Sequence, residues 1–115
     1  MPEAGDNEIV DIDYFKKIKL VVGKVVSAEN VEKSNKLLKL TVSFGSRQKT
    51  ILSGIKKYYK TEDLVGKKVI VIDNLKPANL MGMQSEGMLL AADDKNGNLS
   101  LLTVDRDLAD GSEIS

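Results

Sequence analysis

The chain has 115 residues and a mass of 12.6 kDa, which is enough for one domain with a hydrophobic core and too little for two. With 42% hydrophobic and 30% charged residues at zero net charge, its composition excludes a disordered polyelectrolyte and a membrane protein. It has no cysteine and no histidine, which excludes disulfides, thiolate and imidazole catalysis and the ligands of structural zinc, so we expect neither a metal nor a cofactor.

The chain divides into a short acidic segment and one domain. Residues 1–10 are small, acidic and aperiodic, which indicates a flexible segment or linker, and residues 11–115 form the domain. Local patterns predict elements of both kinds. In chain order they are a short helix in Asp11–Ile18, a curved strand at Leu20–Val26, strands at Leu38–Phe44 and Gln48–Leu52, helical turns in Ile55–Leu64, strands at Lys67–Ile72 and Gly87–Ala92, and short closing strands at Leu99–Thr103 and Ser112–Ile114.

This order of elements is that of an OB-fold. The predicted class is all-β: a five-stranded Greek-key barrel with a short helix between strands 3 and 4, a short N-terminal helix and a small appended C-terminal β region. An SH3-like barrel has less helix between those strands, and a βαβ sheet needs longer crossovers than these lengths allow.

The charges are distributed unevenly along the sequence. Residues 16–76 hold 15 of the 17 basic residues and five acidic ones, for a net charge of +10, whereas residues 77–115 carry −5. A concentrated positive region attracts polyanions, but a solvated lysine-rich surface explains the same pattern equally well. The five aromatic residues are too few for a broad base-stacking platform. The acidic start has no apolar signal region, so we expect a cytoplasmic protein.

Several motifs resemble the tRNA-binding domain of methionyl-tRNA synthetases and of free-standing tRNA-binding proteins. In chain order they are Val31-Glu32-Lys33-Ser34-Asn35-Lys36-Leu37-Leu38-Lys39-Leu40, Ser53-Gly54-Ile55, Leu64-Val65-Gly66-Lys67-Lys68, Asn74-Leu75-Lys76-Pro77 and Ser85-Glu86-Gly87-Met88. Each motif alone is weak, whereas the ordered set is a specific signal. The resemblance covers about Ile9 to Ser115. It implies an OB barrel and a non-catalytic module that binds tRNA by shape and backbone and aids a synthetase.

The resemblance also indicates candidate tRNA-binding residues. Basic side chains on strands can follow a phosphate backbone, and loop residues can donate to phosphate or ribose oxygens. The candidates are Lys36, Lys39, Arg47 and Lys49 on the first hairpin, with Ser53, Asn74, Lys76, Ser85 and Met88 in the motifs. Lys39 lies between two core leucines and must face outward. A structural role in strand ends, turns or core is the alternative for most of them. Val21 stands where many relatives have an arginine, so any phosphate contact of that arginine is missing.

Oligomeric state and partners follow partly from the same resemblance. Bacterial members are commonly homodimers through the region after the barrel and the N-terminal segment. Here Leu80, Met81 and Met83 form an apolar stretch that predicts a dimer interface, unless the stretch folds over the open end of the barrel. The expected partners are tRNA, a second copy and the catalytic part of a methionyl-tRNA synthetase, with no membrane. The alternative function is that of a dimeric export-related chaperone that binds extended polypeptide. An enzyme is a distant third possibility, because Asp93-Asp94 has no acid or base partner in view.

Overall fold

The computed structural model describes residues 8–115, so most of the predicted N-terminal segment lies outside the described part. Two four-residue helices and nine strands are found in this part of the chain. The elements are α1 (Ile12–Phe15), β1 (Leu20–Asn30), β2 (Leu38–Ser43), β3 (Gln48–Ser53), α2 (Thr61–Leu64), β4 (Lys68–Ile72), β5 (Ala78–Leu80), β6 (Met83–Ser85), β7 (Met88–Leu89), β8 (Ala91–Asp93) and β9 (Leu99–Leu101). Within residues 8–115, no helix is both long enough and apolar enough to cross a bilayer.

Five strands form one antiparallel sheet in the order β3-β2-β1-β4-β7. Strand β1 serves both halves of this sheet, because residues 20–24 pair with β4 and residues 24–30 pair with β2. A register shift between Val25 and Ser27 bends the strand where it changes partner. The sheet curls into a nearly closed barrel, and the predicted OB-like fold is confirmed.

The barrel encloses an aliphatic core. The alternation predicted for β2 is confirmed, since Leu38, Leu40 and Val42 are completely buried and their polar neighbours are only half-buried. Gly23 on β1 pairs with Val69 of β4 and is buried, and a Cβ there would collide with the side chains of Val42 and Phe44. The close packing of the core against β1 therefore requires glycine at this position.

The structure corrects four sequence-based expectations. The stretch Ile55–Leu64 is helical only in α2, and its first half forms turns. The strand predicted at Gly87–Ala92 is split, because β7 pairs with β4 whereas β8 pairs with β9. The strand predicted at Ser112–Ile114 is a single bridge between Val21 and Glu113, with backbone hydrogen bonds to β1 on either side. The segment between β4 and Gly87, for which the sequence predicts no strand, forms the hairpin of β5 and β6.

The missed hairpin has a tight turn at Met81 and Gly82. Both residues have positive φ angles, 51° and 80°, as a two-residue type I′ turn requires. Asn-Gly is the usual sequence for such a turn, and methionine in its first position hides the signal. The structured hairpin, rather than an irregular loop, carries the apolar stretch predicted as a dimer interface.

Candidate nucleic-acid interface

Three segments converge at one end of the barrel. The β1–β2 loop, residues 31–37, is fastened to the segment after β3 by Lys56, whose Nζ donates to the carbonyl oxygens of Ser34 at 2.9 Å and Val31 at 3.4 Å. The backbone N–H of Lys56 also donates to the Lys36 carbonyl at 3.0 Å. The tip of the β5–β6 hairpin reaches the same loop. Loops at this position of an OB-fold, together with strands 2 and 3, form its usual ligand-binding region.

A cleft of about 400 Å³ lies between the β1–β2 loop and the hairpin tip. Its lining combines opposite charges with methionine side chains. The cleft residues are Glu29, Asn30, Val31, Glu32, Lys33, Lys39, Met81 and Met83. The cleft is concave, as ligand-binding sites usually are, but four of its eight lining residues are charged and only three are apolar.

Lys39 is the predicted site residue that the cleft contains. On β2 it pairs with Glu29 on one side and with Leu52 on the other, and it lies on the opposite face of the strand from the buried Leu38 and Leu40. The outward orientation predicted from its position between Leu38 and Leu40 is therefore observed. Lys36 lies at the end of the adjoining loop and is exposed.

Arg47 and Lys49 lie elsewhere, at the opposite end of β3, where they form a cluster with Asp73. Arg47 binds both carboxylate oxygens of Asp73, with an Nη1–Oδ1 distance of 3.0 Å, and its guanidinium lies 4.7 Å from the ring centre of Phe44. Lys49 Nζ lies 2.8 Å from Asp73 Oδ1 and donates to the Asp73 carbonyl at 2.9 Å. Hydrogen bonding to Arg47, followed by that to Lys49, lowers the pKa of Asp73 to about 2. Both basic groups thus already have an anionic partner.

Asn74 and Lys76 lie in the loop beside this Asp73 cluster. The Asn74 amide fastens the chain before β1: its Oδ1 accepts from the Lys19 N–H at 2.8 Å, and its Nδ2 donates to the Lys17 carbonyl at 2.7 Å. Lys76 is exposed. The contacts of Asn74 explain why an amide is suited to this position, and its predicted role toward tRNA stays a prediction, as does that of Lys76.

The Ser85-Glu86-Gly87 motif closes the barrel where β3 and β6 run side by side without a regular ladder. Ser85 is buried, and its hydroxyl accepts from the Leu52 N–H and donates to the Gly87 carbonyl, both at 3.0 Å. Glu86 exchanges two bonds with Thr50, because its carboxylate accepts from the Thr50 N–H and its own N–H donates to the Thr50 carbonyl, both at 2.8 Å. Side chains here replace backbone partners that a closed sheet would supply.

Gly87 and Met88 complete this motif, and the packing of β7 against β4 explains the glycine. A Cβ at Gly87 would lie 2.8 Å from the Ile72 carbonyl oxygen, so only glycine allows the close approach of β7 to β4. Met88 is 45% exposed on β7, and Ser53 is half-buried at the end of β3. The structure thus gives Ser85 an architectural role and leaves the predicted roles of Ser53 and Met88 toward tRNA as predictions.

Replacing Ser85 with alanine is expected to lower the free energy of unfolding by about 1–3 kcal/mol, because the N–H of buried Leu52 loses its acceptor. Urea unfolding of the Ser85→Ala variant measures the effect. The matched control is Ser27→Ala, at an exposed position of β1, which should change stability by less than about 0.5 kcal/mol. Equal effects of the two substitutions would contradict the closing role of Ser85.

The residues predicted as a dimer interface lie at the hairpin tip. Leu80 is 37% and Met81 53% exposed, whereas Met83 is half-buried in the cleft. Met81 and Met83 therefore share their surroundings with Lys39 and Glu29 rather than forming a separate apolar patch. Their role in a dimer stays a prediction.

A second apolar surface, which we call the terminal surface, lies where α1 meets the C-terminal segment. It surrounds a depression of about 200 Å³ with five apolar and four polar or charged residues, namely Ile12, Phe15, Ile18, Leu20 and Ile114 together with Lys16, Lys19, Glu113 and Ser115. Ile12 and Ile18 are exposed. The resemblance predicted contacts between copies in these parts of the chain.

The sequence did not predict that Glu29, Glu32 and Lys33 line one cleft. Glu32 and Lys33 belong to the first motif but have no predicted contact, and Glu29 enters the sequence analysis only through the net charge. Their position depends on how far the hairpin reaches over the β1–β2 loop, and no local pattern contains that information. Lys56 was likewise not expected to fasten the loop.

The sequence of the barrel matches one family. The model of the family described as "Putative tRNA binding domain" matches residues 20–113, and this chain belongs to that family. The methionine–tRNA ligase of Methanocaldococcus jannaschii is 63% identical over 107 residues, which are 93% of this chain and 16% of the ligase. The chain thus spans about a sixth of the length of that curated relative.

Solved structures show the same fold in free-standing proteins. A MetRS-related protein from Pyrococcus horikoshii is 38% identical with a TM-score of 0.89, and the match covers 94% of this chain and 99% of that one. A chaperone, CsaA of Bacillus anthracis, is 28% identical with a TM-score of 0.85, and the match covers 94% of this chain and 100% of that one. The expected resemblance to methionyl-tRNA synthetase domains is confirmed.

Proposed function

We propose that this domain is a non-catalytic module that binds tRNA largely without sequence preference and raises the affinity of a methionyl-tRNA synthetase for its substrate. The observation that carries the proposal is the position of Lys39 and Lys33 in the cleft, at the ligand-binding end of an OB barrel. Membership of the tRNA-binding family supports the choice of tRNA as the ligand.

The physical argument rests on phosphate contacts. Flexible lysine side chains on an exposed surface neutralise phosphates and release counterions whichever bases are present. Lys36 is exposed in the β1–β2 loop, and Lys57 and Lys60 are exposed in the segment after β3 that Lys56 fastens to this loop, so these segments add positive charge. Such a surface recognises tRNA through its phosphate backbone and its folded shape. This suits a module that binds any tRNA rather than one that recognises a particular anticodon.

The experiment that tests the proposal compares Lys39→Gln with Arg106→Gln. Both variants lose one positive charge at a solvent-accessible side chain, but Arg106 lies in the acidic C-terminal region. Lys39→Gln is expected to weaken binding of different purified tRNAs equally and to reduce the salt slope by about one, whereas Arg106→Gln changes neither. Fluorescence anisotropy with labelled tRNAs gives both quantities. Equal losses in the two variants would mean that net charge, and not the cleft, binds tRNA.

Lys49→Gln extends this experiment to the Asp73 cluster. A loss of affinity equal to that of Lys39→Gln would support the predicted phosphate contact and extend the interface along β3. Because Lys49 already binds Asp73, a loss of stability without a loss of affinity would instead assign it to the fold.

The association with a synthetase is the wider part of the proposal. The M. jannaschii relative is a methionine–tRNA ligase, and the P. horikoshii relative is a free-standing MetRS-related protein, so the domain could act within a ligase or beside one. In either arrangement it holds tRNA while a separate catalytic domain carries out the reaction, and we propose that it does so in the cytoplasm.

A chaperone function is the second candidate. The likeness to CsaA favours it, and so do Met81 and Met83, because thioether side chains adapt to varied apolar partners. Competition between tRNA and an unfolded polypeptide separates this candidate from the first.

We further propose that the chain forms a homodimer through the terminal surface, because that surface is more apolar than the charged surroundings of Met81. Placing an aspartate at exposed Ile18 is expected to give monomers at micromolar concentration, since an ionised group in a desolvated contact costs several kcal/mol. Sedimentation equilibrium measures this, with Met81→Glu as the comparison. A dimeric Ile18→Asp and a monomeric Met81→Glu would place the interface at the hairpin tip instead.

A further inference from the structure

The charges of the cleft do not fit a site for phosphates alone. Glu29 and Glu32 line it together with Lys33 and Lys39, and carboxylates beside a bound phosphate weaken its attraction to lysine. In the part of the chain that the structure describes, no ion pair or side-chain hydrogen bond occupies these four charged groups. The two carboxylates are therefore available to accept hydrogen bonds from a ligand.

The apolar part of the cleft suits a flat ring. Met81 and Met83 come from the hairpin side, and Val31, which is buried, comes from the loop side. Unpaired bases in protein complexes lie between apolar or aromatic side chains and are recognised by hydrogen bonds to their edges. Polarisable thioethers make favourable contacts with aromatic rings. A cleft of about 400 Å³ is large enough for one base with part of its ribose.

We propose that the cleft binds one unpaired guanine of the tRNA, an inference that rests on the proposed function. An ionised carboxylate only accepts hydrogen bonds and has two oxygens side by side. Guanine presents two neighbouring donors, N1–H and the N2 amino group, on its Watson–Crick edge. Adenine and cytosine present an amino group next to a ring acceptor, and uracil presents one N–H between two carbonyls. A carboxylate therefore matches guanine and meets an acceptor on each of the other three.

The lysines have a separate role in this arrangement. Lys33 and Lys39 neutralise the phosphates on either side of the seated nucleotide, which does not depend on the base. The guanine contact thus adds one point of base recognition to a complex held mainly through its backbone. The rest of the tRNA is bound without preference.

The test uses single-stranded RNA hexamers of uridine with guanosine, inosine, adenosine or cytidine at one central position. For the unaltered protein, the guanosine hexamer is expected to bind roughly tenfold more tightly than the adenosine and cytidine hexamers, as a bidentate contact allows. The inosine hexamer, which lacks the N2 amino group, is expected to lie between them. Anisotropy titrations measure all four, and bulk tRNA is titrated in parallel.

The variants identify the acceptor. The double variant Glu29→Gln with Glu32→Gln is expected to lose the preference for guanosine. It should bind the adenosine and cytidine hexamers at least as tightly as the unaltered protein does, because two negative charges are lost. The control, Glu62→Gln with Asp105→Asn, removes two exposed acids that are not part of the cleft and should keep the preference. The single variants Glu29→Gln and Glu32→Gln show which carboxylate is used.

Two results would overturn the inference. Equal binding of the four hexamers, including undetectable binding of all of them, would exclude a guanine site, and so would a preference that survives in the double variant. Tight binding of bulk tRNA in the same experiments would leave the proposed function intact. If bulk tRNA is not bound either, the proposed function fails and the guanine site fails with it.

Discussion

Raising the salt concentration from about 50 to about 200 mM is expected to weaken tRNA binding by roughly 100- to 1,000-fold. This estimate assumes that four to six phosphates are neutralised, with about one counterion released for each. Lys33 and the half-buried Lys39 line the cleft, and the exposed Lys36, Lys57 and Lys60 bring the number of lysines in and beside these segments to five. The net charge of the whole chain is zero, so the effect depends on where the charges lie.

The measurement is a series of tRNA titrations plotted as the logarithm of affinity against the logarithm of salt concentration. The variant Lys33→Gln with Lys39→Gln should reduce the slope by about two. The control variant, Lys95→Gln with Arg106→Gln, loses two positive charges outside the basic segment and should leave the slope unchanged. A flat plot for the unaltered protein would remove the electrostatic basis of the proposed function.

Replacing Asp73 with asparagine is expected to lower the free energy of unfolding by about 2 kcal/mol near neutral pH. Arg47 and Lys49 hold the pKa of the Asp73 carboxyl at about 2, below its ordinary value of 3.8, so the charged form stabilises the fold. This stabilisation is fully present above the unfolded pKa and is lost as the pH falls through the folded one. The difference between the two proteins should therefore shrink between about pH 4 and about pH 2.

Urea unfolding at several pH values between 2 and 7 checks this expectation. Asp105→Asn serves as the control, because Asp105 is exposed, and it should lower stability by less than about 0.5 kcal/mol at every pH. An Asp73→Asn variant that is equally destabilised at pH 2 and pH 7 would show that the loss arises from packing and not from the ion pairs.

The barrel could be predicted from the sequence because its signals are local. The alternation in β2 and the β-branched run of β4 determine which side chains face inward, and Asp11 caps α1 as expected, accepting from the Tyr14 N–H at 2.8 Å. The β5–β6 hairpin was missed because its exposed residues have no apolar period and its turn begins with Met81. Such a short strand pair forms only because β6 packs beside β3 through Ser85 and Glu86.

The candidate site was less predictable because it depends on distances between segments far apart in sequence. Lys39 could be assigned to the outer face from its neighbours, since strand alternation is a local property. The ion pairs of Arg47 and Lys49 with Asp73, which is more than 20 residues away, could not be read from any local pattern. The same applies to the meeting of Glu29 with Met81 in one cleft.

Competition for the cleft between tRNA and unfolded polypeptide tests the central claim most directly. Labelled tRNA is bound to the unaltered protein at low salt, and unlabelled bulk tRNA or a reduced and alkylated polypeptide is added as competitor. The proposed function predicts that unlabelled bulk tRNA displaces the labelled tRNA at stoichiometric concentrations. The polypeptide should have no effect even at a roughly hundredfold higher concentration, because its affinity for the protein is expected to be lower by more than that factor. Displacement by the polypeptide at concentrations equal to those of tRNA would contradict the claim and favour a chaperone.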